Sequence, residues 1–311
     1  MTANRAARLS TFMRRAKPRS RRVRLARFYN LDKSVFRTER VKGLVAGALM
    51  IGATRLFDAT ALGQTLPPSS PSSFDMSVGT QIASDYIFRG YSLTNHLPSV
   101  SGYFEGTYGW IFAGLEADSV QIPGLPTVQL TASAGIRPKF GPASIDIGVS
   151  YYSYPGSGGV SDYPEYFIRP SLALSPALTV GANFTFAPDY SRTGAHETYI
   201  SATGKYLLSS TLSLSGEIGF LTFTSPTSAS WGASNTGIPS YAYGTLGLSY
   251  VYKIATFDLR FHATSLSRQD CFLITGAGDT ISGSDGCGPG IFFTVSLDST
   301  LSAIRKAISA R

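Results

Sequence analysis

Between about Met76 and Leu297 the chain reads as twelve β-strand segments, and the links joining them alternate short and long. Short links fall at Gly109-Trp110, around Phe140-Gly141-Pro142, at Leu174-Ser175-Pro176, at Leu208-Ser209-Ser210 and at Lys253. Long ones run from Ser92 to Leu97, Ser119 to Pro126, Pro155 to Asp162, Ala187 to Ala195, Thr224 to Ile238 and Ser267 to Gly288. In an up-and-down sheet this sorting gathers the tight turns at one end and the long loops at the other. That is the plan of an outer-membrane β-barrel, with short periplasmic turns and longer extracellular loops. A soluble β-sandwich, the competing all-β architecture, has no reason to sort its loops.

Side-chain period supports the same wall. Leu178, Val180, Ala182, Phe184 and Phe186 share one face of their segment; Leu212, Leu214, Ile218 and Phe220 oppose Ser213, Ser215 and Glu217. Ala255, Phe257, Leu259, Phe261 and Ala263 oppose Thr256, Asp258, Arg260, His262 and Thr264, so an acid, a base and a histidine lie away from the apolar face. A half-buried soluble sheet alternates too, so the weight rests on the sum over twelve segments. The expectation is an all-β chain: a transmembrane antiparallel up-and-down β-barrel of about 12 strands over residues 75–298.

Composition fits. Only 15% of residues are charged, Gly is 32 of 311, and Tyr plus Phe make 36. No apolar run reaches the roughly 18 to 20 residues of a membrane helix. Tyr86, Phe88 and Tyr91, Tyr151, Tyr152 and Tyr154, and Tyr250 and Tyr252 sit near strand ends, where amphipathic rings suit interfacial girdles. Strand propensity alone accounts for part of that enrichment.

The formal charge of +8 is unevenly placed. Residues 1–55 carry 15 Lys or Arg against Asp32 and Glu39, whereas 64–311 carry 12 against 16 acids. A nucleic-acid arm is one reading of the basic clusters. An export leader over 1–63 is the better one, because Gly43 to Thr54 is a short apolar segment after basic residues, with small residues before Gln64 for cleavage. Its forty-residue preamble is long, which points to a start at Val35 or Val41; Arg14-Arg15 and Arg21-Arg22 lie too far from the apolar segment for a twin-arginine signal. Residues 64–74, opening QTLPPSSPSS, read as an extended spacer, and 299–311 as a short basic tail, with Leu301, Ile304 and Ile308 at helical spacing.

Cys271 and Cys287 fall in the longest loop among many glycines. An exported chain meets an oxidising compartment, so they are expected to form a disulfide, stabilising by about 3 kcal/mol on the chain-entropy account. No histidine stands beside them at ligand spacing, so no metal and no cofactor is expected.

Ser84-Asp85-Tyr86-Ile87-Phe88-Arg89-Gly90-Tyr91-Ser92, followed by Pro98, Val100, Gly102 and Phe104, resembles the opening motif of the proteobacterial TorF family of porin-like proteins, of Gcw_chp type. Tyr152-Ser153-Tyr154-Pro155-Gly156, Glu165-Tyr166 and the late cysteine pair also resemble that family, so the likeness spans about Asp75 to Leu297. It implies an outer-membrane barrel that passes small solutes, and it carries no catalytic residues. Family members end on a strand with a terminal aromatic residue, whereas here Ile291 to Leu297 is followed by the tail.

The lumen candidates are Asp85 and Arg89, expected on one side of the first strand, with Glu105, Arg137, Asp146, Glu165, Arg169, Lys205, Glu217, Asp258, Arg260 and His262. Charges of both signs at inward positions serve either as a constriction or as a salt-bridged filling; at twelve strands a narrow pore is the favoured expectation. The function expected is passive diffusion of small hydrophilic solutes or ions through a porin-like channel in the bacterial outer membrane. A non-conducting structural or adhesive barrel is the alternative. A barrel lipid hydrolase is less favoured, since none of His96, His196 and His262 pairs with a recognisable serine motif. Expected partners are outer-membrane lipid and lipopolysaccharide, small solutes, the barrel-assembly machinery during insertion and, among copies of itself, a homo-oligomer; no nucleic acid is expected.

Overall fold

Alternation of apolar and polar residues at period two leaves each segment with one greasy and one polar face, and a closed wall is the way to give every strand edge a partner. A computed structural model of the chain describes residues 74–224, 238–279 and 281–309. The expected leader over 1–63, nearly all of the spacer over 64–74 and most of the Thr224–Ile238 loop lie outside the described residues; Phe74 already belongs to the wall.

Twelve long strands follow one another: β1 Phe74–Ala83, β2 Ser99–Tyr108, β3 Ile111–Ser119, β4 Val128–Ile136, β5 Ala143–Ser153, β6 Tyr163–Ala173, β7 Leu178–Ala187, β8 His196–Leu207, β9 Leu212–Thr224, β10 Tyr241–Tyr252, β11 Ala255–Thr264 and β12 Gly290–Thr300. Each pairs antiparallel with its neighbours in sequence, and β1 pairs with β12 through Ser77–Thr300 to Ala83–Thr294, which closes the barrel. The links at 109–110, 137–142, 174–177, 208–211 and 253–254 gather at one end, and the six long ones at the other, as the sequence predicts. The first long link is the whole of 84–98, longer than Ser92 to Leu97.

The wall is inverted relative to a soluble protein. Val78, Ile82, Phe104, Leu115, Phe184, Ile200, Ile218, Leu246, Leu259 and Phe293 stand exposed on the outside, while Glu105, Glu116, Asp118, Glu165, Glu197, Asp258 and Ser296 are buried inside. At the short-turn rim Phe74, Tyr108, Trp110, Phe140 and Tyr252 form an exposed ring. The girdle expectation holds for Tyr151, Tyr250 and Tyr252, which are exposed. It fails for Tyr91, Tyr152 and Tyr154, buried at 4%, 2% and 7%, and for Tyr86 and Phe88, which pack on that inner core. Neighbouring rings in sequence point to opposite sides of a strand, so a run of tyrosines near a strand end supplies both girdle and interior.

Two α-helices and a 3-10 turn at Tyr190–Arg192 lie outside the wall among the described residues. α1 (Arg268–Thr275) opens on a capping box between Ser267 and Asp270 and closes on Gly276 in the left-handed conformation. α2 (Leu301–Ser309) continues directly from β12, which runs two residues past the expected barrel end, and it buries none of its side chains. Its start is fastened by Asp75, whose carboxylate accepts from the Ser302 backbone N–H at 3.0 Å and from its hydroxyl at 2.7 Å.

Candidate functional site

Asp85 and Arg89 do not continue β1. After Ser84, the last residue to pair with the wall through Phe293, the chain turns into the lumen. Ile87–Phe88 and Tyr91–Ser92 form a short antiparallel ladder, pairing Ile87 with Ser92 and Phe88 with Tyr91. Arg89 and Gly90 are the two central turn residues, at φ 47° and 94°, the positive pair that a right-twisted hairpin favours. A Cβ added at Gly90 would lie 2.5 Å from Thr264 Cγ2, so this position needs glycine for space as well as for backbone freedom. The expectation of one regular strand bearing both charges is thereby corrected: Asp85 sits at the root of the inner hairpin and Arg89 at its tip.

The tip is held by charge. The Arg89 guanidinium, 8% exposed, forms an ion pair with Glu165 on β6 at 2.6 Å and donates to Glu197 on β8 and to Thr185 Oγ1 on β7 at 3.2 Å. Phe88 and Tyr199 stack on it with centroids 4.7 and 4.5 Å away. Desolvating one guanidinium against two carboxylates is tolerable only with this multiple hydrogen bonding. Tyr152 adds a hydroxyl to Glu165 at 3.2 Å, and the Tyr241 hydroxyl donates to the Arg89 carbonyl at 3.0 Å. The root is a second polar knot. Asp85 accepts from Ser92 Oγ at 2.5 Å and Thr94 Oγ1 at 2.9 Å, and its other oxygen lies 2.8 Å from His96 Nδ1.

Around the hairpin, rings fill the long-loop half of the barrel. Tyr91, Leu93, Tyr154, Tyr199, Leu221, Tyr241 and Tyr243 pack with Cys271, Ile274 and Cys287, while Tyr152, Tyr163 and Tyr190 form an adjoining cluster. Burial holds the phenols of Tyr154 and Tyr190, both in long loops, well above their ordinary range. Two cavities among the described residues adjoin the hairpin. One of about 160 Å³ lies on the short-turn side of the hairpin, with Arg89, Glu116, Arg169, Asn183, Glu217 and Arg260 among its walls. One of about 40 Å³ lies on the loop side, and Phe88, Gln129 and Tyr152 line both. Phe88 of the hairpin therefore stands between the two cavities within the lumen.

The other expected residues fall into separate groups. Glu217 accepts from Asn183 at 2.9 Å, Ser201 at 2.5 Å and the Tyr199 hydroxyl. Arg260 bonds Asp258 at 3.1 Å and Ser215 at 2.9 Å, and Ser249 donates to Asp258 at 2.6 Å. Arg169 lies over the Phe167 ring, 4.0 Å from its centroid. His262 is buried beside the hairpin turn, edge-on to Phe292. Nearer the short-turn mouth Arg137 joins Glu105 at 2.9 Å and Asp146 at 2.7 Å. Arg137 follows β4 in the turn, so it reaches these acids from the rim. Lys205, near the end of β8, faces inward away from the larger cavity.

Sequence reasoning missed Glu197, Glu116 and Asp118, all at most 2% exposed. Parity could have found them: Glu197 shares the face of Lys205 on β8, and Glu116 and Asp118 alternate with exposed Leu115. The disulfide is present, Cys271–Cys287, with Cα atoms 5.7 Å apart. Among the described residues no group of His, Cys, Asp or Glu gathers as a metal site.

A closed twelve-stranded antiparallel barrel, apolar outside and charged within, with a hairpin folded into its lumen, is the class of protein that this architecture defines. The chain belongs to the Gcw_chp family, described as a bacterial protein of unknown function, whose model matches residues 67–270. No curated sequence matches it. Among solved structures it is similar to KdgM porin at 10% identity, covering 72% of this chain and 97% of that one with a TM-score of 0.46. It is also similar to an outer membrane channel from Pseudomonas putida F1 at 9% identity, covering 75% and 97%, with a TM-score of 0.39.

Proposed function

We propose that the protein is an outer-membrane barrel that admits small hydrophilic solutes or ions, and that the inner hairpin occludes its lumen in the conformation described here. The observation that carries this is the cavity of about 160 Å³ beneath the hairpin, whose walls set charged and amide side chains among aromatic rings, inside an apolar exterior. Lipid is the natural neighbour of that exterior, since exposed apolar residues on every strand are costly in water. The likeness of Asp85 to Ser92 to the TorF porins agrees with a channel. Permeation then requires the Arg89 tip to leave Glu165 and Glu197. No catalytic residue enters this reading; His196, at the rim, has its Nδ1 on the Pro188 carbonyl at 2.6 Å.

A structural, non-conducting barrel is the second reading, favoured by the multiple bonds to Arg89 and the aromatic packing above it. Planar-bilayer recording of the full chain separates the two. Wild type is expected to give rare, small steps, and Arg89→Gln to raise the open fraction at least tenfold. Silence from both proteins, each with the heat-modifiable mobility of a folded barrel, would leave the structural reading standing.

A further inference from the structure

The disulfide lies beside the hairpin, although 179 residues separate Ser92 from Cys271 in sequence. Ser284 to Gly288 form a strap that crosses the hairpin from above. The Ser92 N–H donates to the Gly286 carbonyl at 2.7 Å, and His96 Nε2 stands 3.3 Å from the Asp285 carbonyl. The strap is fixed at both ends. Its start is bonded to α1, Ser284 N–H to the Arg268 carbonyl at 2.8 Å, with Arg268 and Asp285 ion-paired at 2.6 Å. Its end is tied by Cys287, whose sulfur is bonded to Cys271 of α1 and whose carbonyl accepts from Thr264 Oγ1 of the wall at 2.8 Å. Both cysteines are almost fully buried, at 0% and 2%, in the same cluster as Tyr91 and Leu93 of the hairpin limb.

We infer that the Cys271–Cys287 loop is the latch of the inner hairpin: the disulfide holds the strap down on Ser92 and His96, and opening it frees the hairpin to leave the lumen. This rests on the proposed channel for its consequence in permeation, but not for the latch itself. A disulfide serving only to shorten a surface loop has no need to share a core with the residues of the inner hairpin. Reduction by an external dithiol breaks the S–S bond, leaves two thiols and oxidises the reductant to its own disulfide, so the latch is redox-sensitive wherever the strap breathes enough to admit the attacking thiolate.

The test is amide hydrogen exchange of the full chain in lipid nanodiscs, wild type beside Cys271→Ser/Cys287→Ser. Peptides covering 84–97 are expected to exchange roughly ten- to a hundred-fold faster in the variant, with β5 to β10 unchanged. If the serine variant fails to fold, Thr264→Val with Arg268→Gln cuts two strap contacts outside the hairpin while keeping the disulfide, and a smaller acceleration confined to 84–97 is expected. Unchanged exchange of 84–97 in a folded variant overturns the latch. Faster exchange with no rise in conductance keeps the latch and overturns the channel; faster exchange with a higher open fraction supports both.

Discussion

At the scale of single residues, Arg89 governs the interior. It joins three strands, β6, β7 and β8, from the tip of a hairpin. Removing it alone leaves Glu165 and Glu197, at most 1% exposed, facing one another without a cation, and a broken buried pair costs roughly 3 to 5 kcal/mol. Arg89→Met is therefore expected to destabilise the barrel by about that amount in equilibrium urea unfolding. The triple change Arg89→Met, Glu165→Gln, Glu197→Gln should recover most of it, because neutral amides bury at less cost than orphaned carboxylates. A triple variant no more stable than the single one would show that the acids are not what Arg89 neutralises.

At the scale of elements, alternation fixed the wall and local chemistry fixed the ends. Each wall strand is legible because every second residue is apolar, as in Leu214, Ile218 and Phe220 against Ser213, Ser215 and Glu217. The inner hairpin was not legible, because Asp85-Tyr86-Ile87-Phe88-Arg89 continues a plausible strand, and the turn uses Arg-Gly where Asn-Gly or Asp-Gly would announce a hairpin. The spacing of Leu301, Ile304 and Ile308 suggested helix α2 without deciding it against an unfolded tail, and its fastening to Asp75 was not legible. Asp75→Ala is expected to cost α2 about 1 kcal/mol, the usual loss of an N-terminal helix cap, seen as roughly fivefold faster amide exchange over 301–309 with β1 and β12 unaffected. Equal exchange in the two proteins would mean that packing, not the carboxylate, holds the helix.

At the scale of the whole molecule, the exposed side chains form a belt whose height follows from the strands. Ten residues rise about 34 Å along a strand and, tilted near 45°, span about 24 Å of a bilayer. Trp110, 58% exposed at the short-turn rim beside Phe140, marks the lower edge of that belt. With Trp231→Phe leaving Trp110 as the chain's one tryptophan, fluorescence in vesicles is expected to be quenched more by lipids brominated near the glycerol than by those brominated at the chain ends. Strongest quenching by the deep bromines would place the rim inside the hydrocarbon and displace the belt.

The sequence by itself determined the wall: twelve strands, their order, which end carries the long loops, and which face of each strand is apolar, because period two and link length are local properties that survive without knowing what packs against what. It also determined the disulfide, given an oxidising compartment. The tertiary structure alone decided what fills the lumen. Glu105 with Arg137 and Asp146, Glu165 and Glu197 with Arg89, and the strap over Ser92 are pairings between residues up to about two hundred positions apart. Their partners are set by strand register and by a chain reversal at Arg89-Gly90. Parity can say that a charge faces inward; only the closed barrel says which opposite charge it meets.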